Sequence, residues 1–320
     1  MKVLLTRRWP KAVEDHLSAR FDVTLNKDDT PMSAAELSAA FDAYDVICPT
    51  VSDKLDAGVI GEAGRRAKLL ANFGVGFDHI DIAACEKAGV KVANTPSVLT
   101  DATADLAMTL MLMAARRAGE GEREVRAGAW TGWRPTHLLG RSVTGKTLGL
   151  VGFGRIAQAT AKRARDGFGM TIVYFSRRAA PEEATRALDA KRMETLDALL
   201  ATSDFVSLHV PGGTETQNMI GAAELARMKP DAVLINTARG GVVNHDALAT
   251  ALKEGPLAAA ALDVYPQEPK VPEALLALEN VVLMPHLGSA TEETRTAMGM
   301  RAAANVEAFA SGAALPDPVV

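Results

Sequence analysis

Gly149-Leu150-Val151-Gly152-Phe153-Gly154-Arg155-Ile156-Ala157 decides the fold of this 320-residue chain. The stretch follows Thr147-Leu148, so an apolar strand runs into two closely spaced glycines and then into a helical pattern from about Arg155 to Arg165. Gly152 permits a tight turn, and Gly154 lets a ligand approach the backbone. The helix that opens at Arg155-Ile156 offers unpaired N–H groups and a positive dipole end to an anion. Ala157 stands where a third glycine is often found; only a small side chain is needed there for helix–strand packing. Strand, loop and helix together predict a dinucleotide-binding unit, with Gly152, Phe153, Gly154, Arg155 and Ile156 along the pyrophosphate.

The next strand, Thr171-Ile172-Val173-Tyr174, ends in Ser176-Arg177-Arg178. An Asp or Glu at this point would accept hydrogen bonds from the ribose 2′-OH of NAD. Two cations and a hydroxyl suit a 2′-phosphate better, through charge-assisted bonds. The residues therefore favour NADPH/NADP+, with NADH still possible, and an oxidoreductase.

Further strands read as Phe205–Leu208, Ala232–Ile235, Ala259–Leu262 and Val281–Leu283, with helices starting near Thr195, Ala222 and Asn244. This is a doubly wound sheet of six or seven strands over roughly 100–286. The first hundred residues alternate in the same way. Strands are expected at Val3–Leu5, Phe21–Leu25, Val46–Cys48, Leu69–Asn72 and Val90–Val92. Helices are expected at Pro10–Ala19, at Ser33–Phe41 behind a Ser33/Glu36 capping box, and at Ile80–Ala88 before Gly89. A long helix is expected from about Asp101 to Gly119, its Met108, Met111 and Met113 packing in a core or between subunits. A final helix, about Glu292–Ser311, has no strand of its own and is expected to return to the first domain, followed by an irregular arm from Gly312. The fold class is α/β, with two Rossmann-like domains and a cleft between them. A flavodoxin-like substrate-binding domain takes 1–99 and 287–320, and a dinucleotide-binding domain takes 100–286.

Composition narrows the function classes. The formal charge is −4 and the basic residues are scattered, which argues against nucleic acid. Leu106–Ala115 is apolar but far shorter than the roughly 20 residues that span a bilayer, which argues against a membrane. Met1–Thr6 reads as a first strand rather than a secretion signal, so a soluble cytoplasmic protein is expected. Cys48 and Cys85 sit among apolar neighbours, and no His/Cys/Asp cluster has metal-ligand spacing.

Three charged residues follow strand ends in the second domain: Arg239 in Asn236-Thr237-Ala238-Arg239-Gly240, Glu268 after Asp263-Val264-Tyr265, and His286 in Pro285-His286-Leu287-Gly288. Each alone reads as surface or capping. Together they suit hydride transfer at a small 2-keto or 2-hydroxy acid. His286 would give or take the proton, Glu268 would hold the imidazole and favour its charged form, and Arg239 would clamp the carboxylate. Glycine-rich Asn72-Phe73-Gly74-Val75-Gly76-Phe77 could offer N–H groups to the same carboxylate.

These segments, with Asn94-Thr95-Pro96, Leu262-Asp263-Val264-Tyr265, Glu268-Pro269 and Ser289-Ala290-Thr291, resemble the D-isomer-specific 2-hydroxyacid dehydrogenase family along nearly the whole chain. The resemblance implies the catalytic trio Arg239, Glu268 and His286. It places Asp263 near the nicotinamide carboxamide, and Val75 and Gly76 near the substrate carboxylate. Thr103 and Pro211 would line the cofactor cleft, with Thr216, Thr237, Ala238 and Gly288 as further cofactor contacts. It also implies a homodimer held through the nucleotide-binding domains.

Within the family the chain looks most like glyoxylate/hydroxypyruvate reductases. Tyr174-Phe175-Ser176-Arg177 resembles their NADPH-preferring strand end, and Trp130-Thr131-Gly132-Trp133-Arg134-Pro135 a segment that reaches the partner's active site. Trp133 would then narrow the substrate pocket, or simply pack at the interface, and Ser289 would touch the hydroxymethyl end of hydroxypyruvate. Arg295 either adds charge near the pocket or lies on a solvated face. The implied reactions are glyoxylate to glycolate and hydroxypyruvate to D-glycerate. A 2-ketogluconate reductase or a broad-specificity D-2-hydroxyacid dehydrogenase is the alternative. A phosphoglycerate dehydrogenase fits less well, for want of a regulatory extension and of an NAD-type strand end. A dinucleotide sensor of the corepressor kind would not need the trio.

Overall fold

The computed structural model describes residues 1–255 and 257–320. The chain divides into two compact units, Met1–Leu99 with Ser289–Val320, and Thr100–Gly288. The second boundary thus falls at 288 rather than at the expected 286.

In the first unit the chain alternates β1 (Lys2–Leu5), α1 (Lys11–Ser18), β2 (Asp22–Leu25), α2 (Ala34–Ala43), β3 (Val46–Cys48), α3 (Ala57–Ile60), β4 (Leu69–Ala71), α4 (Ile82–Ala88) and β5 (Lys91–Ala93). All five strands are parallel, in the order β2-β1-β3-β4-β5. This is the flavodoxin-like arrangement, in which a strand order that reverses beside β1 leaves both faces to be covered by helices. The Ser33/Glu36 capping box forms as read, and Gly89 ends α4 in a left-handed conformation. Val3, Leu5, Val46, Cys48, Leu69 and Ala71 pack on one face of the sheet, and Leu4, Ile47, Leu70 and Val92 on the other. Cys48 and Cys85 are buried, and burial pushes both thiols up, that of Cys85 to about 12, so neither is reactive.

The second unit opens with α5 (Thr100–Ala115) and α6 (Ala118–Arg126), so the single helix expected over 101–119 is two helices. The break has a tertiary cause. The Arg141 N–H donates to the carbonyl oxygen of Ala115 at 2.7 Å and takes the acceptor that a continuing helix would need. Arg117 then turns left-handed, at φ 51°. Met108 and Met111 of α5 are core residues.

From there the chain alternates β6 (Thr147–Val151), α7 (Arg155–Phe168), β7 (Thr171–Phe175), α8 (Glu182–Leu188), β8 (Ala190–Arg192), α9 (Leu196–Thr202), β9 (Phe205–Leu208), α10 (Ala222–Arg227), β10 (Val233–Asn236), α11 (His245–Glu254), β11 (Ala259–Leu262), α12 (Glu273–Leu276) and β12 (Val281–Leu283). The seven parallel strands run β12-β11-β10-β9-β6-β7-β8. The order reverses between β6 and β9. That crevice, at the carboxyl ends of the strands, is where open α/β sheets bind ligands.

The last helix, α13 (Glu292–Ser311), belongs to the first unit and packs on α1 and β4. The tail after Gly312 forms no helix or strand, as expected of an irregular arm, but it is anchored. Val319 N donates to Val92 O at 2.7 Å and Val92 N to Val320 O at 3.0 Å, so the tail covers the open edge of β5. Asp317 anchors it, buried against Arg301 at 2.6 Å and receiving the Asn305 amide at 3.2 Å. Among the described residues no helix is long and apolar enough to cross a membrane, and no group of side chains could hold a metal ion.

Candidate active site

The β6–α7 loop sits at the switch point of the second sheet. Gly152 has φ +88°, and a Cβ there would lie 2.6 Å from the carbonyl oxygen of His209, just past β9. Only glycine fits, because the loop must pass over the neighbouring strand end. A Cβ on Gly154 would meet nothing within 4 Å; this glycine is exposed, and α7 starts without a side-chain cap. The first N–H groups of α7 are therefore left for an external acceptor. Ala157 is fully buried, which explains its small size. Phe153 differs from the simplest expectation: its ring stacks on Tyr174, centroids 4.0 Å apart, and is buried, so only its backbone can meet a cofactor. Thr237 Oγ1 is buried with no hydrogen-bond partner, an orphaned polar atom at the end of β10. An open glycine at an uncapped helix start and an unpaired buried hydroxyl fit a dinucleotide.

The loop after β10 carries Arg239. Asn236 shapes it: its amide donates to Arg239 O at 2.9 Å and its carbonyl accepts from Ala238 N at 3.0 Å. The Arg239 guanidinium donates to Ala238 O at 2.8 Å. A Cβ on Gly240 would fall inside the Tyr265 carbonyl group, which locks this loop against the one after β11.

The loop after β11 carries Glu268. One carboxylate oxygen accepts the Tyr265 N–H at 3.0 Å, and the other meets His286 Nδ1 at 2.7 Å. Burial works to raise this carboxyl. The hydrogen bond and charge of His286, the Tyr265 N–H and the nearby Arg239 outweigh it, and hold the group below the usual glutamate range. The Tyr265 hydroxyl donates to Met284 O at 2.9 Å, tying the Glu268 loop to the strand that leads to His286.

His286 adopts φ 55°, a left-handed conformation that a non-glycine residue holds only when its surroundings impose it. Asp263 imposes it. Its carbonyl accepts His286 N at 2.9 Å, and its carboxylate accepts Leu287 N at 2.6 Å and Gly288 N at 2.8 Å. Asp263 is buried, and that burial raises its carboxyl against the pull of these N–H groups and of His286. Thr103 lies against the same point, its hydroxyl 3.6 Å from where a Gly288 side chain would begin. The Nδ1 of His286 is thus committed to Glu268.

At the end of β7 the structure corrects the sequence reading. No acid follows the strand in sequence, yet Arg177 makes an ion pair with Glu215, carried in from the turn Thr214–Thr216. Ser176 Oγ donates to Arg178 O at 2.5 Å, so the hydroxyl expected to face a phosphate is turned onto its own chain. Thr216 Oγ1 donates to Pro211 O at 2.7 Å and fixes that turn.

In the first unit, Asn72 donates to the carbonyls of Gly74 and Gly76, at 3.1 and 2.9 Å, and Asn94 to that of Val75 at 2.8 Å. The carbonyls of Gly74, Val75 and Gly76 are thus each held by a side-chain amide. Ser289 O accepts from Arg295 Nε at 3.2 Å, which gives that arginine a structural contact. Trp133 is 83% exposed and Trp130 54%.

Residues 108–288 match the family description "D-isomer specific 2-hydroxyacid dehydrogenase, NAD binding domain". A glyoxylate reductase from Thermococcus litoralis is 47% identical over 322 residues, covering 99% of this chain and 96% of that one. The chain belongs to the D-isomer specific 2-hydroxyacid dehydrogenases. Among solved structures, an NADPH-dependent glyoxylate/hydroxypyruvate reductase from Sinorhizobium meliloti, in complex with NADP and malonate, superposes with TM-score 0.87 at 33% identity, covering 100% of this chain and 96% of that one. A D-mandelate dehydrogenase from Rhodotorula graminis does so with TM-score 0.87 at 32% identity, covering 99% and 97%.

As a D-2-hydroxyacid dehydrogenase the chain is an oxidoreductase with the family's NAD-binding domain. The residues that sequence reasoning passed over here are Asn236, Tyr265 and Glu215. Asn236 and Tyr265 were within quoted motifs but had no chemistry of their own to mark them. Glu215 stands 38 positions from Arg177 and carries no local signal.

Proposed function

We propose that this protein reduces glyoxylate to glycolate and hydroxypyruvate to D-glycerate, with NADPH preferred as hydride donor. The observation that carries the reading is the Glu268–His286 pair, 2.7 Å apart and within the electrostatic reach of Arg239, in a chain 47% identical to a glyoxylate reductase. The nicotinamide, when bound, supplies the hydride. His286 Nε2 gives its proton to the carbonyl oxygen of the substrate as that oxygen gains electrons, and recovers a proton from solvent after product leaves. Glu268 stabilises the imidazolium and fixes the ring through Nδ1. Arg239 binds the carboxylate and polarises the adjacent carbonyl, with Val75 and Gly76 assigned to the same carboxylate and Ser289 to the hydroxymethyl group of hydroxypyruvate.

Gly152, Phe153, Gly154, Arg155 and Ile156 are assigned to the pyrophosphate, Arg177 and Arg178 to the 2′-phosphate. Thr103, Pro211, Thr216, Thr237, Ala238 and Gly288 are assigned to the rest of the cofactor. For Asp263 the hydrogen bonds favour holding the His286 loop in place, with a carboxamide contact as an added role. Exposed Val125, Trp130, Trp133 and Leu139 supply the apolar surface for a homodimer. Light scattering on the purified protein tests that part.

Steady-state reduction of both acids, each with NADPH and with NADH, tests the activity. A kcat/KM clearly higher with NADPH on both acids supports the proposal. Turnover of a larger keto acid in preference to both rejects it for the alternative, a 2-ketogluconate reductase or a broad-specificity D-2-hydroxyacid dehydrogenase. The D-mandelate dehydrogenase of the same fold favours keeping that second reading.

A further inference from the structure

We propose that Glu215 is a specificity-determining residue that competes with the cofactor's 2′-phosphate for Arg177, and so limits the preference for NADPH. The inference rests on the assignment of Arg177 to that phosphate. Three observations lead to it.

The first is the ion pair itself: Arg177 and Glu215 meet although both side chains are 73% exposed. The second is that Glu215 is held in place. Its turn is closed by Thr216 Oγ1 on the carbonyls of Pro211 and Gly213, at 2.7 and 3.3 Å, and leads into Asn218, whose N–H donates to Gly241 O at 2.8 Å. The acid is therefore presented at the strand end by a fixed segment. The third is how the other polar groups there are spent. Arg192 donates to Ser176 O at 3.1 Å, and the Ser176 hydroxyl is on Arg178 O. Arg177 is the cation at this strand end with an acid already on it.

The physics follows from charge. A 2′-phosphate is an anion with more than one negative charge near neutrality. To reach the Arg177 guanidinium it must displace Glu215, and the displaced carboxylate then remains nearby as a like charge. NADH carries no phosphate at this position and meets neither cost. Glu215 therefore weakens NADPH selectively and leaves the enzyme able to use NADH. Because both partners face solvent, the effect is modest and salt-sensitive.

The test is direct cofactor binding without substrate, by quenching of tryptophan fluorescence, on wild type, Glu215→Gln, Arg177→Ala and the double variant. Glu215→Gln is expected to tighten NADPH about three- to fivefold, the range open to an exposed pair, and to leave NADH unchanged. The gain should shrink at high salt and vanish in the Arg177→Ala background. If wild type prefers NADPH and Glu215→Gln leaves both affinities unchanged, the inference falls and the Arg177 assignment stands. Equal tightening of both cofactors, or a gain that persists without Arg177, also overturns it. If wild type shows no NADPH preference but Glu215→Gln creates one, the inference holds and the proposed preference falls. If neither protein discriminates, both fall. Circular dichroism is expected to be the same for all four proteins, since the two residues are surface groups.

Discussion

Replacing Glu268 with Gln removes a charge while nearly preserving shape, and so separates what the carboxylate does by field from what it does by position. The amide can still accept a hydrogen bond, but it no longer attracts the imidazolium. With Nδ1 and the oxygen 2.7 Å apart, the charge centres are about 4 Å apart. Coulomb attraction at that distance is about 1 kcal/mol in bulk water and about 4 kcal/mol at the effective dielectric of a protein surface. His286 is 31% and Glu268 33% exposed, so the pair belongs near the lower end, about 1–2 kcal/mol. When glycolate is oxidised, its hydroxyl proton passes to His286 and the imidazolium forms beside Glu268, so the carboxylate stabilises charge that develops in the transition state. Losing about 1–2 kcal/mol of that stabilisation corresponds to a fall of about five- to thirtyfold in kcat/KM for glycolate oxidation in Glu268→Gln. The assay is steady-state oxidation of glycolate by wild type and variant, with circular dichroism to show that both are folded. A fall of less than about twofold would refute the electrostatic reasoning and leave Glu268 as a purely geometric support.

Gly152→Ala places a methyl group 2.6 Å from the His209 carbonyl oxygen at a positive φ, and should cost about 2–4 kcal/mol of unfolding free energy in urea titrations; a change below about 1 kcal/mol would mean that the loop yields. Asp263→Asn turns an amide toward one of the two N–H groups that its carboxylate now accepts, so about 1–3 kcal/mol of stability should be lost and kcat should fall as the His286 loop loosens. A drop in cofactor affinity with kcat intact would show instead that Asp263 serves mainly the nicotinamide. His209 sits beside Ser207 at the end of β9, and burial holds its pKa down to about 4. An unfolded histidine takes up its proton near 6.5, so the unfolded state binds more protons between those values and stability falls as pH drops through that window. The fall should amount to at most about 3 kcal/mol and should be absent in His209→Asn, which melting curves from pH 7 to pH 4 would check.

The strands were legible because each sheet is buried on both faces. Val46-Ile47-Cys48, Leu69-Leu70-Ala71 and Ala259-Ala260-Ala261-Leu262 are short apolar runs that have no other use in a chain of this composition. β8 broke that rule. Ala190-Lys191-Arg192 is an edge strand exposed along most of its length, with Ala190 alone packed on the core and backbone pairing with β7 holding the rest. The break between α5 and α6 was hidden for a different reason. Ala115-Arg116-Arg117-Ala118 has good helical propensity, and what ends the helix is the approach of Gly140 and Arg141 to the Ala115 carbonyl. What holds the tail was hidden likewise. Its prolines read as irregular, while its order comes from Asp317 on α13 and from backbone pairing with Val92.

The same distinction governs the site. Arg239, Glu268 and His286 could be read from sequence because each lies just past its own strand, and parallel strands bring their carboxyl ends together by construction. No second long-range fact was needed to place them at one edge of the sheet. The reading of Ser176-Arg177-Arg178 used the same local logic and took the absence of an acid after β7 as the absence of an acid from the place. That step fails wherever another loop crosses the strand end. β9 lies beside β6 across the switch point, and the segment that follows it, 211–216, delivers Glu215 to Arg177. A strand-end motif fixes which groups a chain offers to a ligand, but the field that the ligand meets also includes what the loops after neighbouring strands bring. Here that contribution is one carboxylate, Glu215, placed on Arg177.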